Sequence, residues 1–437
     1  MKESTRLTVI NLITWLFRLA VGGVFVYSGF VKAIDPWGTI YKFHDYLAAL
    51  NFGLADGLVL IAVVLLCVYE FLTGAFLLTG SFRRAAPWMS GVLMLFMTPL
   101  TLWIALKDPV ADCGCFGDAF IISNWATFWK NIALCIMTGW LIVFNRRIHW
   151  LITPSLQWLG FVVDATFVSI VSFFGYSYQP LIDYRPYKVG EKLVEISDTA
   201  YEPEYEFVYE KDGQRRSFGI DDEQPDESDG WTFVERKELP SKNKGGDRLN
   251  SEKSLVILDE NDDDVTADVI QESGAQLILF MPDMNHATPA SSYQINSLFS
   301  SATQSGIDFI AVVAGSKEQI EQWRDLSMAR YPIYTTEDTT IKEIVRGNPG
   351  VVYLEDGTIK WKSTLKALPY DDFMQKGASH DPMSYAVDTV SILRNIIYLY
   401  LTVMAVLILF SFAPGLKRMY EPWQRRRLPS AEGGNKD

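Results

Sequence analysis

Residues 9–31 read VINLITWLFRLAVGGVFVYSGFV, a run whose one charge is Arg18. A helix needs roughly 20 apolar residues to cross the hydrocarbon of a bilayer, so this stretch predicts a transmembrane span. Lys2 and Arg6 precede it as in a signal-peptide n-region. No small-residue cleavage site follows and more apolar runs do, so the segment is expected to be retained. Leu58–Gly80, Ala86–Leu106, Trp125–Phe144, Leu156–Tyr178 and Ile392–Phe412 repeat the pattern, the fifth span broken by Asp164. The chain is therefore expected to be a six-span membrane protein.

The 437-residue chain has a net charge of −13, and that charge is unevenly placed. Residues 179–383 carry 39 Asp and Glu against 21 Lys and Arg, while the rest is net positive. An acidic soluble module is attached to a basic membrane module, and neither composition suits nucleic acid. Arg83-Arg84, Arg146-Arg147 and the group Lys417, Arg418 and Arg425-Arg426-Arg427 follow even-numbered spans. The positive-inside bias then puts these loops in the cytoplasm and residues 181–383 in the periplasm of a bacterial inner membrane.

Within the acidic stretch, Tyr205–Tyr209 and Trp231–Arg236 alternate as strands around a polar loop at Asp221–Gly230. From Leu255 strands and helices alternate: strand Leu277–Met281, helix Pro289–Ala302, strand Phe309–Val313, helix Lys317–Leu326, strand Ile333–Thr335 and helix Thr340–Arg346. Gly350–Leu354 and Ile359–Lys362 then form a hairpin around Asp356-Gly357. Such alternation predicts an α/β domain with a mixed sheet.

Two resemblances follow from these residues. Arg18, the run Tyr27-Ser28-Gly29-Phe30-Val31-Lys32 with Asp35-Pro36, Glu70 with Gly74, and Asp112-Cys113-Gly114-Cys115-Phe116-Gly117 are similar to the DoxX/MauE group of redox-associated membrane proteins. That resemblance implies a part in disulfide or electron transfer at the cytoplasmic membrane, with ties to maturation of periplasmic enzymes and to quinone-linked complexes. Residues 255–364 resemble the thioredoxin fold. Asn348-Pro349-Gly350 matches the cis-proline before its final hairpin, and Pro282-Asp283-Met284-Asn285-His286 stands where redox-active members carry Cys-x-x-Cys. The absence of cysteine there removes thiol chemistry and leaves a binding fold, with a partner groove at His286 and Pro349.

The expected architecture is therefore mixed: an α-helical transmembrane bundle with an α/β thioredoxin-like soluble domain. Its parts are a four-helix DoxX/MauE-like core (1–148), a fifth span (149–180), a β-rich connector (181–254), the thioredoxin-like domain (255–383), and a C-terminal anchor with a basic tail (384–437).

The chemistry is expected at Cys113 and Cys115. A thiolate is the nucleophile of disulfide exchange and a ligand for soft metals. Cysteines two residues apart can close a small ring around Gly114, and strained disulfides are labile. Asp112 and Asp118 oppose reactivity by raising the thiol pKa. Redox exchange, a Cu(I) or zinc half-site and a structural disulfide are the competing readings; the first is carried forward and no metal is assigned. Cys67 and Cys135 fall at equal depth, which permits a second thiol pair. Arg18 and Glu70 both fall near mid-bilayer, where charges normally pair, so they are expected to form an intramembrane polar pair, structural or part of a quinone or proton site. Asp164 has no evident partner.

Trp37, Trp88, Trp125, Trp129 and Trp150 read as interface anchors. His44, His149, His286 and His380 lack ligand spacing, and Asp259–Asp264 departs from a calcium loop at its sixth position. The resulting expectation is thiol–disulfide or electron transfer at the outer membrane face, with a periplasmic or membrane protein client, the lipid bilayer as solvent, and quinone as an open cofactor. The rival is a non-catalytic scaffold in which the cysteine pair is a structural disulfide.

Overall fold

The structure is a computed structural model that describes residues 3–50, 52–107, 110, 113–194, 205–211, 214–219, 232–238, 255–284, 289–368 and 382–425. Asp112, His286, His380, the loop at 221–230 and the basic tail at 426–427 lie outside the described residues.

Six helices are long and apolar enough to cross a membrane: α1 (Glu3–Ile34), α3 (Asp56–Thr79), α4 (Ala85–Lys107), α5 (Asn124–Val143), α6 (Gln157–Ser177) and the last helix, α11 (Thr389–Arg425). This is a multi-pass membrane protein. Many of their large apolar side chains, Leu12, Leu65, Leu95, Ile136 and Leu409 among them, face outward, as a helix solvated by lipid requires. The sequence pattern misses α2 (Pro36–Ala49). Asp35 caps its N-terminus by accepting from the Gly38 N–H, and Pro36 supplies the first-turn φ.

Within the bundle α1 and α3 run antiparallel in backbone contact. A Cβ on Gly29 would lie 2.6 Å from the Phe71 nitrogen, and one on Gly74 would overlap the Val26 nitrogen. Small residues at such crossings let helices approach where no hydrophobic drive exists between them. The fifth and sixth spans are joined through Asp164, which accepts from the Tyr400 hydroxyl at 2.8 Å. That contact supplies the missing partner of Asp164.

The soluble α/β domain is built on a five-stranded sheet of order β6-β5-β4-β7-β8, comprising β4 (Ala275–Met281), β5 (Asp308–Val313), β6 (Ile333–Thr335), β7 (Gly350–Glu355) and β8 (Thr358–Thr364). The first three are parallel, and β7 and β8 run antiparallel to them. Leu277, Leu279 and Met281 point into one core with α8 (Ser292–Gln304) and α9 (Lys317–Ser327). Ile278 and Phe280 point into a second, with the one-turn α7 (Thr266–Val269) and α10 (Asp338–Ile344). Two covered faces explain why β4 reads as an unbroken apolar run. A separate antiparallel sheet of order β2-β1-β3 is made by β1 (Tyr205–Lys211), β2 (Gln214–Gly219) and β3 (Thr232–Glu238). The strand β2 was not expected.

The segment after α6 does not hang free. Tyr187 and Leu193 are buried in the second core, and Gly190 and Leu193 donate to Ile359 and Gly357 of the last hairpin. Asp183 sits between Arg185 (2.8 Å) and Lys362 (2.7 Å).

Gly74→Ala should lower the melting temperature in detergent, since overpacking a close contact costs about 1–3 kcal/mol. Gly23→Ala, on α1 with open space around the added methyl, should not. Equal melting of the two variants would refute backbone contact between α1 and α3.

Candidate functional site at the cysteine loop

Cys113 and Cys115 are joined by a disulfide in the loop between α4 and α5. The loop is held from three directions. From below, the Lys32 ammonium donates to both Glu70 oxygens (3.1 and 2.8 Å), to Ser28 Oγ (2.8 Å) and to the Cys115 carbonyl (3.0 Å). Ser28 Oγ lies 2.8 Å from Glu70 Oε2 and 2.7 Å from the Cys115 carbonyl; its one proton serves one of them at a time. Ser28 and Lys32 are one helical turn apart on α1, and Glu70 faces them because α1 and α3 touch. All three are buried. From the side, the Tyr46 hydroxyl on α2 donates to the Cys113 carbonyl at 2.7 Å.

The third hold comes from the soluble domain. Arg346, at the end of α10, inserts between Asp35 (2.7 Å) and Asp118 (2.5 Å). Its backbone exchanges hydrogen bonds with the Gln179 side chain, and its guanidinium lies 5.4 Å from the Tyr41 ring. Burial alone would lower the guanidinium pKa, but Asp35 and Asp118 more than offset it and keep the group charged. Burial pushes the Tyr41 phenol up to about 12, so it stays neutral. Nearby, burial would raise the Asp183 carboxyl, yet Arg185 and Lys362 outweigh it and hold Asp183 well below the usual carboxylate range.

A cleft of about 920 Å³ opens between the soluble domain and the membrane end. Trp37, Tyr41 and His44 of α2 face it, opposite Pro282, Asn348 and Pro349; the Asn348–Pro349 bond is cis. The neighbouring stripe of α2 faces the cysteine loop instead, with Gly38 and Lys42 lining a narrow space beside Gly114 and Asp118. The two spaces share no lining residue, so α2 stands between the Pro349 cleft and the disulfide. The other side of the loop is apolar: Phe120 and Ile121 are 62% and 73% exposed.

Several expectations are corrected here. Arg18 does not pair with Glu70. It donates to the carbonyls of Leu77 (2.5 Å), Leu78 (2.6 Å) and His149 (2.8 Å), capping the end of α3 where unsatisfied carbonyls and the helix dipole favour a cation. Leu77 is about 10 Å along the helix from Glu70. Depth counted from span ends placed both charges at one level because α1 extends further than its apolar run. Cys67 and Cys135 are both free thiols and do not form a pair: Cys67 packs in the cluster of α1, α3 and α6, whereas Cys135 Sγ lies 3.2 Å from Thr98 in the other cluster. Trp37 is no interface anchor, since it stacks on Tyr176 at 4.8 Å and donates to that residue's carbonyl. His286 lies outside the described residues, so only Pro349 of the expected groove is placed.

The sequence pattern alone assigns Lys32 no role; its one-turn spacing from Ser28 is the available signal. Lys130 on α5, with its ammonium 4.1 Å from the Phe116 ring centroid, was overlooked among aromatic neighbours. No metal-ligand cluster occurs among the described residues.

Residues 10–144 match the family model of the methylamine utilisation protein MauE. The match runs from α1 through α5, so it contains Arg18, Ser28, Lys32, Glu70, Lys130 and the disulfide loop. Residues 203–242, around the three-stranded sheet, match a family described as a domain of unknown function, DUF8463. No curated protein and no solved structure matches the chain.

Removing one partner of a buried ion pair costs about 3–5 kcal/mol, less where a partner is partly solvated as Asp118 is. Arg346→Ala should therefore release the soluble domain from the bundle, seen as faster hydrogen exchange in α2 and the cysteine loop with the five-stranded sheet unchanged. Unchanged exchange in α2 would rule out the latch. A second outcome concerns acid. Asp183 titrates lower folded than unfolded, so its contribution is present above the ordinary value of 3.8 and is lost as pH falls below it. Asp183→Asn should lose less stability than the wild type on acidification from pH 5 to 2; parallel melting curves would contradict this.

Proposed function

We propose that this protein carries out thiol–disulfide or electron transfer at the outer face of a bacterial cytoplasmic membrane, with Cys113–Cys115 as its redox element. One observation carries the reading. A half-buried disulfide sits at the rim of the bundle, directly above a buried Lys–Glu pair that holds its backbone. The match to a family named for methylamine utilisation supports a place in a redox-associated membrane process. In the reaction, a client thiolate attacks one sulfur of the pair and displaces the other as a thiolate. The second client thiol then resolves the mixed disulfide. Two electrons and two protons pass from the client dithiol to Cys113 and Cys115. An electron acceptor restores the disulfide, and a quinone is one class that could do so.

The soluble domain is read as thioredoxin-like and periplasmic. The sheet order β6-β5-β4-β7-β8 and the antiparallel final hairpin support the fold, and the Lys/Arg bias of the loops supports the placing. Its role is revised by the position of α2. A client in the Pro349 cleft would be screened from the disulfide, so the domain serves to hold the loop through Arg346. The exposed Phe120 and Ile121 favour a partner held in or on the membrane, whichever protein it is. The rival, a scaffold with a structural disulfide, draws on the fact that both cysteine carbonyls are tied down.

Thiol trapping of the full-length protein across graded redox buffers separates the two. The redox reading expects a pair that reduces within the range of exchange-active disulfides, above about −300 mV. It also expects a mixed disulfide to accumulate in Cys113→Ser or Cys115→Ser. A pair that stays oxidised below that potential, with no mixed disulfide and full function in both variants, leaves the scaffold.

A further inference from the structure

When the Cys113–Cys115 bond opens, the displaced sulfur leaves as a thiolate, and its charge must be met by something. The groups facing the loop are Lys32 on α1, Glu70 on α3, Lys42 and Tyr46 on α2, Lys130 on α5, and Asp118 held by Arg346. Most are already committed. An ammonium has three protons, and those of Lys32 go to Glu70, Ser28 and the Cys115 carbonyl. Tyr46 is spent on the Cys113 carbonyl, and Arg346 on two carboxylates. Lys130 differs. Among the described residues it has no carboxylate within 4 Å, and its ammonium rests on the face of Phe116, the residue after Cys115. A half-buried cation in a membrane helix, resting on a ring and without a carboxylate in contact, is costly to keep.

We propose that Lys130 is the positioning cation of the redox pair, stabilising the Cys115 thiolate released when a client dithiol opens the disulfide. This rests on the redox reading above. The balance is that of the exchange already given: the Cys113–Cys115 bond breaks, a client–Cys113 bond forms, and the electron pair departs on Cys115 beside Lys130. The second client thiolate then breaks the mixed disulfide, leaving Cys113 and Cys115 reduced and the client oxidised. A stabilised leaving thiolate speeds the first step and makes the pair a stronger oxidant. Phe116 keeps the ammonium close without neutralising it, as a cation–π contact allows. Glu70 is kept from taking that role by its own bonds to Lys32 and Ser28.

The test uses the full-length protein in detergent or nanodiscs, reduced with excess dithiothreitol and alkylated with iodoacetamide across pH 5–10. The rate is read on the peptide carrying both cysteines. Lys130→Met should alkylate about tenfold more slowly than wild type near pH 6.5 and equally fast at high pH, the signature of a smaller thiolate fraction. Its pair should also become correspondingly harder to reduce in a glutathione buffer. Lys130→Arg should restore both, which a packing role for the lysine stem would not require. Superimposable pH–rate profiles for wild type and Lys130→Met overturn the assignment while leaving the redox reading intact. A wild-type pair that cannot be reduced at all overturns both.

Discussion

The ion pair of Lys32 and Glu70 is the constraint from which the arrangement at the membrane rim follows. Neither charge can stand alone among apolar helices, and their attraction is of use only if every remaining donor and acceptor is satisfied. Gly29 and Gly74 bring α1 and α3 close enough for the two to meet. The third proton of Lys32 still needs an acceptor, and the Cys115 carbonyl provides it. The cysteine loop is thus part of the solution to burying a charge, and its disulfide is placed by the same bonds.

A second buried charge does for the two modules what the first does within the bundle. Arg346 is 311 residues from Asp35 and 228 from Asp118, yet it meets the first at the head of α2 and the second in the cysteine loop. Asp35 both caps α2 and binds Arg346, so the helix, the loop and the domain cannot move independently. With Asp183, Arg185 and Lys362 fixing the strap after α6, the soluble domain is docked rather than tethered.

What the sequence made legible follows from the length scale of each signal. Span lengths and the strand–helix alternation are local, so six spans and a mixed sheet were readable, as was the cysteine pair. The helix α2 was not, because its apolar positions Trp37, Ile40, Tyr41, Phe43 and Leu47 are interleaved with polar ones and do not stand out beside a 23-residue span. Arg18 was assigned the wrong partner because a depth count assumes that α1 begins and ends with its apolar run. Arg346 and Asp118, 228 residues apart, carry no local signature at all. Lys130 was visible as a charge within a span, but its meaning depends on Phe116 lying beneath it.

The position of α2 changes what the two modules can be to each other. A groove that presented a client to the cysteines would need an open path from Pro349 to the disulfide, and the helix occupies that path with one stripe on each side. The domain therefore acts on the loop through Arg346 and Asp118, on the flank away from Phe120 and Ile121. That leaves the apolar flank for the redox partner that the proposed function requires. Exposed Phe and Ile at the edge of a membrane suit an apolar neighbour, whether lipid or a partner that shares the bilayer edge. On the proposed redox reading, the acidic domain and the apolar flank beside the loop divide the work: one fixes the disulfide, and the other is left open to what would react with it.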